Sequence, residues 1–208
     1  MTEPTSIVQK PQGQLVPRQQ LTSEVFTLMM GIAPVLHRTA FFRTGSPEQA
    51  VAIMIVGYEL GFSLTGSFDV IDVIQGRPSL KPKGALALLF QSRVLGEFKI
   101  IESNDAQGNP YSCTCILGRR DQPVRFEATF TIEDAIKAGI FKPDSAWDKW
   151  LKYMLRWRAI GACVDIVCPD ITLGLPIAIP VLDTDIPSES EFIAAGVVVE
   201  TVEAVGVN

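Results

Sequence analysis

Three strand-like runs joined by short turn sequences constrain this chain more than any other feature. The runs are residues 97–103, 111–119 and 124–132, and the links are Asn104-Asp105-Ala106-Gln107-Gly108-Asn109-Pro110 and Arg120-Asp121-Gln122-Pro123. Asn, Asp, Gly and Pro favour reversals because they tolerate or preset the backbone angles a turn requires. Links this short join antiparallel neighbours, since a parallel return needs a long crossover. The economical reading is a β-meander. Upstream, residues 66–73 alternate enough for a strand, and Gln75-Gly76 supplies a turn into residues 77–80, which makes a hairpin.

Helix signals surround these strands. Thr22 or Ser23 starts a first helix that Pro34 should kink or shorten. Ser46-Pro47-Glu48-Gln49 combines a cap, a proline at the first helical position and an acid, and the helix it starts runs to Leu60 and stops at Gly61. Lys81-Pro82-Lys83-Gly84 opens a third helix ending near Gly96, and Thr131 starts a short one that Gly139 ends. The longest covers residues 146–167, capped by Ser145 with Asp148 in its first turn and ended by Pro169. Its predicted apolar face is Trp150, Leu151, Met154, Leu155, Ala159, Ala162, Cys163 and Ile166. Residues 171–182, apolar with two prolines, read as an extended segment lying over the body. The order predicts the α+β class: an antiparallel meander and a hairpin packed with helices, with one long basic C-terminal helix.

Residues 1–20 are rich in Gln and Pro without periodicity and read as a disordered tail. Residues 21–181 form the expected core domain. Residues 182–208 read as an acidic tail with only a weak β-like run at 194–199. At 208 residues the chain is long enough to close one core. No uninterrupted apolar run reaches membrane-spanning length and the N-terminus lacks a signal-peptide apolar stretch, so the expectation is a cytoplasmic protein with no membrane partner.

A net charge of −5 argues at first against a polyanionic partner. The distribution changes that. Asp183, Asp185, Glu189, Glu191, Glu200 and Glu203 stand in residues 182–208 with no Lys or Arg, which leaves 17 acids against all 18 basic residues in the rest. A near-neutral body can carry a basic groove whose local field exceeds what net charge suggests. The acidic end could compete for that groove, recruit a partner, or serve only to keep the chain in solution.

Residues 141–174 predict such a groove. Lys142, Lys149, Lys152, Arg156 and Arg158 are interleaved with Trp147, Trp150, Tyr153 and Trp157. Cations hold phosphates while planar rings stack bases, the chemistry a single strand of nucleic acid requires. Lys149, Lys152 and Arg156 fall three and four apart and project together. Arg158 lies nearer the apolar boundary and should snorkel or find an acidic partner. Trp150, Tyr153 and Trp157 are candidates for base stacking or subunit packing. Lys81 and Lys83 stand at a helix start, where free amides favour an anion. Arg119, Arg120 and Arg125 flank the second meander turn, where they could grip a backbone. The plainer alternatives are a solvated basic face, core tryptophans, a solvated helix start and ordinary turn arginines.

Catalytic chemistry finds little support. Cys113 and Cys115 face one side of a predicted strand, but zinc takes about four ligands and the sole histidine, His37, is distant in sequence. Four cysteines in a chain this long outline no disulfide framework and read as structural. One histidine leaves no nucleophile motif, and no Gly-Lys-Ser/Thr P-loop occurs. Asp69 with Asp72, or Glu133 with Asp134, could hold magnesium, although acids at such places mostly cap or are solvated. The expectation is a non-catalytic protein without a cofactor, magnesium being at most a modulator.

One longer pattern remains. Phe130-Thr131-Ile132-Glu133-Asp134-Ala135, Ala138-Gly139, Trp147, Met154-Leu155-Arg156-x-Arg158-Ala159, Pro169-Asp170 and Gly174 follow one another in an order that resembles the RecT family of phage single-strand DNA annealing proteins. Glu59-Leu60-Gly61, Val73-Ile74-x-Gly76-x-Pro78-x-Leu80 and Ala85-x-Ala87-Leu88 are similar to the same family's first half. The resemblance spans residues 26–174. It implies an ATP-independent recombinase that binds single-stranded DNA and anneals it to a complementary strand in homologous recombination. It also implies self-association into rings or helical filaments around single-stranded DNA and annealed duplex, alongside a phage exonuclease or a host single-strand binding protein. On this resemblance Arg156 and Arg158 are the leading groove residues, with Trp147 and Pro169-Asp170 shaping helix ends. Trp157 stands where a smaller residue is common in the family. Alternatives are a single-strand protecting protein that does not anneal and, ranked last, a metal-dependent nuclease built on the scattered acids.

Overall fold

The computed structural model describes residues 19–39, 42–178 and 198–202. At its centre is a four-stranded sheet in the order β5-β4-β3-β6, formed by β3 (Leu95–Asn104), β4 (Pro110–Arg119), β5 (Arg125–Thr131) and β6 (Val198–Val202). The first three are the predicted meander, antiparallel, with Ile100 opposite Cys115 and Cys115 opposite Ala128. The β3–β4 link turns on Asp105, whose carboxylate accepts the Gln107 and Asn109 amides at 2.9 and 2.8 Å. β6 lies parallel to β3, Lys99 opposite Val198. Part of the expected acidic tail is therefore a strand of the sheet, overlapping the weak run at its last two residues. The rest of that tail, and residues 1–18 of the expected N-terminal tail, lie outside the described residues.

Strand alternation decides which side chains face inward. Phe98, Ile100 and Glu102 of β3 stand in register with Leu117, Cys115 and Cys113 of β4, and these with Phe126, Ala128 and Phe130 of β5. Glu102 is the one acid among them. α7 (Leu151–Val167) crosses this face, and the Cys163 thiol donates to the Cys115 carbonyl at 3.1 Å. Burial pushes the Cys113 thiol up to about 12. The hydrogen bond with Cys163, together with burial, pushes Cys115 up as well. Thiols held protonated in this way are inert and structural, as the sequence suggested.

β1 (Ile71–Ile74) and β2 (Arg77–Leu80) form the predicted hairpin. Gln75 and Gly76 have φ of 51° and 77°, the paired left-handed angles of a two-residue hairpin turn. Residues 67–70, expected as strand, form instead the short helix α3 (Ser67–Val70). The Ser67 hydroxyl donates to the Ser63 carbonyl at 2.8 Å and fits a gap at Gly57, where a Cβ would stand 2.1 Å from it. α1 (Ser23–Arg38) is capped by Thr22 and continues past Pro34, where the sequence suggested a kink or an early end. α2 (Pro47–Glu59) starts on Ser46, whose hydroxyl accepts the Gln49 amide at 3.1 Å. α4 (Pro82–Ser92) is shorter than expected, closing on Arg93 in a left-handed conformation. α5 (Ile132–Lys137) carries a full capping box between Thr131 and Asp134.

The predicted long basic helix does not form as one piece. It breaks at Trp150 (φ −128°, ψ 37°) into α6 (Ala146–Lys149) and α7. Ser145 does not cap with its side chain; its hydroxyl donates to the Lys142 carbonyl. The buried face of α7 also differs from the expected stripe: Arg156, Trp157, Ile160 and Val164 are buried, while Ala162 and Ile166 are exposed. The reason is that α7 is covered on two sides. The sheet lies on one, and at Gly161 an added Cβ would stand 3.2 Å from Ile177 of the following segment. A helix buried this widely has no single apolar stripe to read. Of that following segment, expected to be extended over residues 171–182, residues 171–174 form turns instead, and residues 175–178 lie extended against the body, with the Leu80 amide donating to the Pro176 carbonyl at 2.9 Å and the Ala178 amide to the Leu80 carbonyl at 2.8 Å; residues 179–182 lie outside the described residues. The buried apolar residues from Met29 to Cys168 make one cluster. No helix among the described residues is long and apolar enough to cross a membrane.

Candidate nucleic-acid interface

The basic residues singled out by sequence fall into three groups. The first is tied to carboxylates. The buried Arg156 guanidinium reaches the buried Glu102 carboxylate through Nε at 2.8 Å and a terminal nitrogen at 2.6 Å, and Lys152 reaches the same carboxylate at 3.3 Å. Arg156 is therefore a core cation and not the exposed groove residue the sequence suggested. Arg119 is similarly enclosed, its side chain only 3% exposed. It holds Asp121 at 2.8 Å, Asp170 at 2.5 Å and the Val167 carbonyl at 3.3 Å, so it staples the β4–β5 turn to the end of α7. Those hydrogen bonds raise the Arg119 pKa and hold the Asp121 carboxyl below its usual range. Arg125 pairs with Glu97 at 2.9 Å on the surface.

The second group is surface. Lys83, Arg120 and Lys149 are exposed, and Lys81 is half-buried at the cap of α4. Trp157 is buried at 2% exposure and belongs to the core, so it offers nothing to a base or a neighbouring subunit in this fold.

The third group holds Arg158, which finds no acidic partner among the described residues. It is half-buried with its guanidinium 5.8 Å from the Phe130 ring and 6.0 Å from the Trp147 ring. Its Nε is buried without a hydrogen-bond partner among the described residues, and burial lowers its pKa. Ring faces attract a guanidinium but do not neutralise it. Taking a charge from water without a counter-charge is costly, and such residues concentrate where a ligand supplies the missing charge.

Arg158 lines a cleft of about 630 Å³. The β1–β2 hairpin contributes Arg77 and Ser79, the loop before α6 contributes Lys142 and Ser145, and α6 contributes Trp147. Gly84 lets α4 close against the hairpin, since a Cβ there would stand 2.7 Å from Val70 and 2.9 Å from Leu80. Three cations from three elements thus line the cleft, and no Asp or Glu among the described residues does. A concave, partly apolar wall concentrates their field on whatever enters.

Sequence reasoning counted Lys142 only as part of a basic stretch and did not single out Arg77. The latter follows the Gln75-Gly76 turn, and the tertiary approach of that hairpin to α6 and α7 leaves no local trace. Glu102 was also missed, although the alternation Phe98, Ile100, Glu102 marks it as inward-facing. Two of the four acids considered for magnesium have local roles: Asp134 completes the α5 capping box and Asp72 accepts the Val73 amide at 2.8 Å. No family model matches the chain, and no curated protein matches it.

Proposed function

We propose that this protein binds single-stranded nucleic acid through its phosphates and anneals complementary strands without ATP, as the resemblance to the RecT family implies. The observation that carries the reading is a cleft lined by Arg77, Lys142 and Arg158 and, among the described residues, by no acid, in which the Arg158 Nε has no hydrogen-bond partner among those residues. A polyanion supplies the charge that Arg158 lacks. Gripping phosphates leaves base edges open to a second strand, which annealing requires and which a base-reading site would prevent. Self-association would extend the grip along a strand, and the exposed Lys83, Arg120 and Lys149 are available to lengthen the path.

The test is strand pairing followed by fluorescence quenching, with two complementary labelled oligonucleotides at low salt and without ATP. Pairing should accelerate over the protein-free rate, and the affinity for one strand should fall with salt at a log–log slope of roughly −0.7 per phosphate neutralised. Salt-sensitive binding without faster pairing would assign the protein to strand protection. Absence of both would remove nucleic acid from the account.

A further inference from the structure

Trp150 differs from the other two tryptophans. Trp147 and Trp157 are 7% and 2% exposed, whereas Trp150, thrown outward by the break between α6 and α7, is 40% exposed. It is also held. Tyr153 meets it edge-on with centroids 6.1 Å apart, and the Tyr153 ring in turn lies 5.4 Å from the Arg156 guanidinium, which Glu102 anchors in the core. The exposed indole is thus fastened through two neighbours to a buried ion pair. Lys149, exposed, precedes it in sequence, and the Trp150 amide donates at 2.9 Å to the carbonyl of Ala146, which with Trp147 belongs to the wall of the basic cleft.

We infer that Trp150, steadied by Tyr153, is a stacking seat for one unpaired base of a strand whose phosphates lie in the Arg77–Lys142–Arg158 cleft. The inference rests on the proposed single-strand binding and adds the part that grips a base. Every base has a flat face, so an indole accepts any of them and discriminates little among sequences. A stacked base keeps its pairing edge free, which a hydrogen-bonded one does not. Lys149 beside the ring takes the adjoining phosphate. Arg156 acts as a positioning residue, orienting Tyr153 and through it the indole without touching the strand.

The experiment compares two single strands of equal length and charge, an oligothymidylate and its abasic counterpart, by titrating each into the full chain and following intrinsic tryptophan fluorescence and affinity. The oligothymidylate should quench the exposed indole and bind tenfold or more tightly than the abasic strand, the scale of a stacked base. Trp150→Phe should remove most of the quenching, and Trp150→Ala should abolish the difference between strands while leaving the salt slope unchanged. Equal affinity for both strands in the unaltered protein overturns the stacking seat and leaves the phosphate cleft standing. Loss of affinity for both strands alike in Trp150→Ala overturns it too, as does quenching that persists in Trp150→Phe. Failure of both strands to bind removes the cleft reading and the seat together.

Discussion

Arg156 and Arg158 stand two residues apart on α7 and meet opposite surroundings. Arg156 turns toward the sheet, where it pairs with the buried Glu102, whose carboxylate the partly exposed Lys152 of α7 also reaches. Arg158 lies by the rings of Phe130 on β5 and Trp147 on α6 in a cleft it shares with Arg77 and Lys142, and no carboxylate among the described residues meets it. Residue type and helix are shared, so what separates them is the strand residue each one faces. A guanidinium with a built-in carboxylate is a structural tie; the proposed site takes the other, at Arg158, as the place an anion from outside would fill.

Breaking the first side should have the largest effect. Arg156→Met removes the bidentate partner of the Glu102 carboxylate and leaves it the partly exposed Lys152, so it should cost about 3 kcal/mol in urea unfolding, the low end for breaking a buried ion pair. Adding Glu102→Met to it should restore most of the loss; a double variant as unstable as the single one would mean packing and not charge governs the site. On the other side, Arg158→Met should leave the unfolding midpoint unchanged or raise it. The same change should weaken oligonucleotide binding several-fold and make the salt dependence shallower by about 0.7 in log–log slope, one phosphate's share. Unaltered binding would show that the cleft is not where the strand lies. The smallest effect is expected at Arg125, whose pair with Glu97 is about half exposed on both sides. Arg125→Ala should not shift the unfolding midpoint detectably, as solvent and salt screen such pairs.

What could be read in the chain follows from the range of the physics involved. The meander, the Gln75-Gly76 turn and the starts at Thr22, Ser46 and Thr131 rest on interactions within a few residues, and these appear where the sequence places them. The face of α7 was not legible, because it depends on a second cover supplied by the segment around Ile177. Nor was the fate of the arginines. Arg156 and Glu102 lie 54 residues apart, and Arg119 reaches Asp170 across 51. Composition registers that both signs of charge are present but not which ones meet. The cleft mixes both kinds: Lys142 and Trp147 belong to the basic-aromatic stretch, while Arg77 arrives on a separate hairpin.

The parallel pairing of β6 against β3 bears on how the molecule assembles. Its partners are separated by about a hundred residues, whereas the meander and α7 close over much shorter spans. Loop closure over such a span is entropically slow, so this strand should add late to a nucleus already formed from its neighbours. Until it docks, the β3 border presents unpaired amides and carbonyls along residues 99–103, a template that other nascent chains could copy. Residues 198–202 therefore act as a seal on that border.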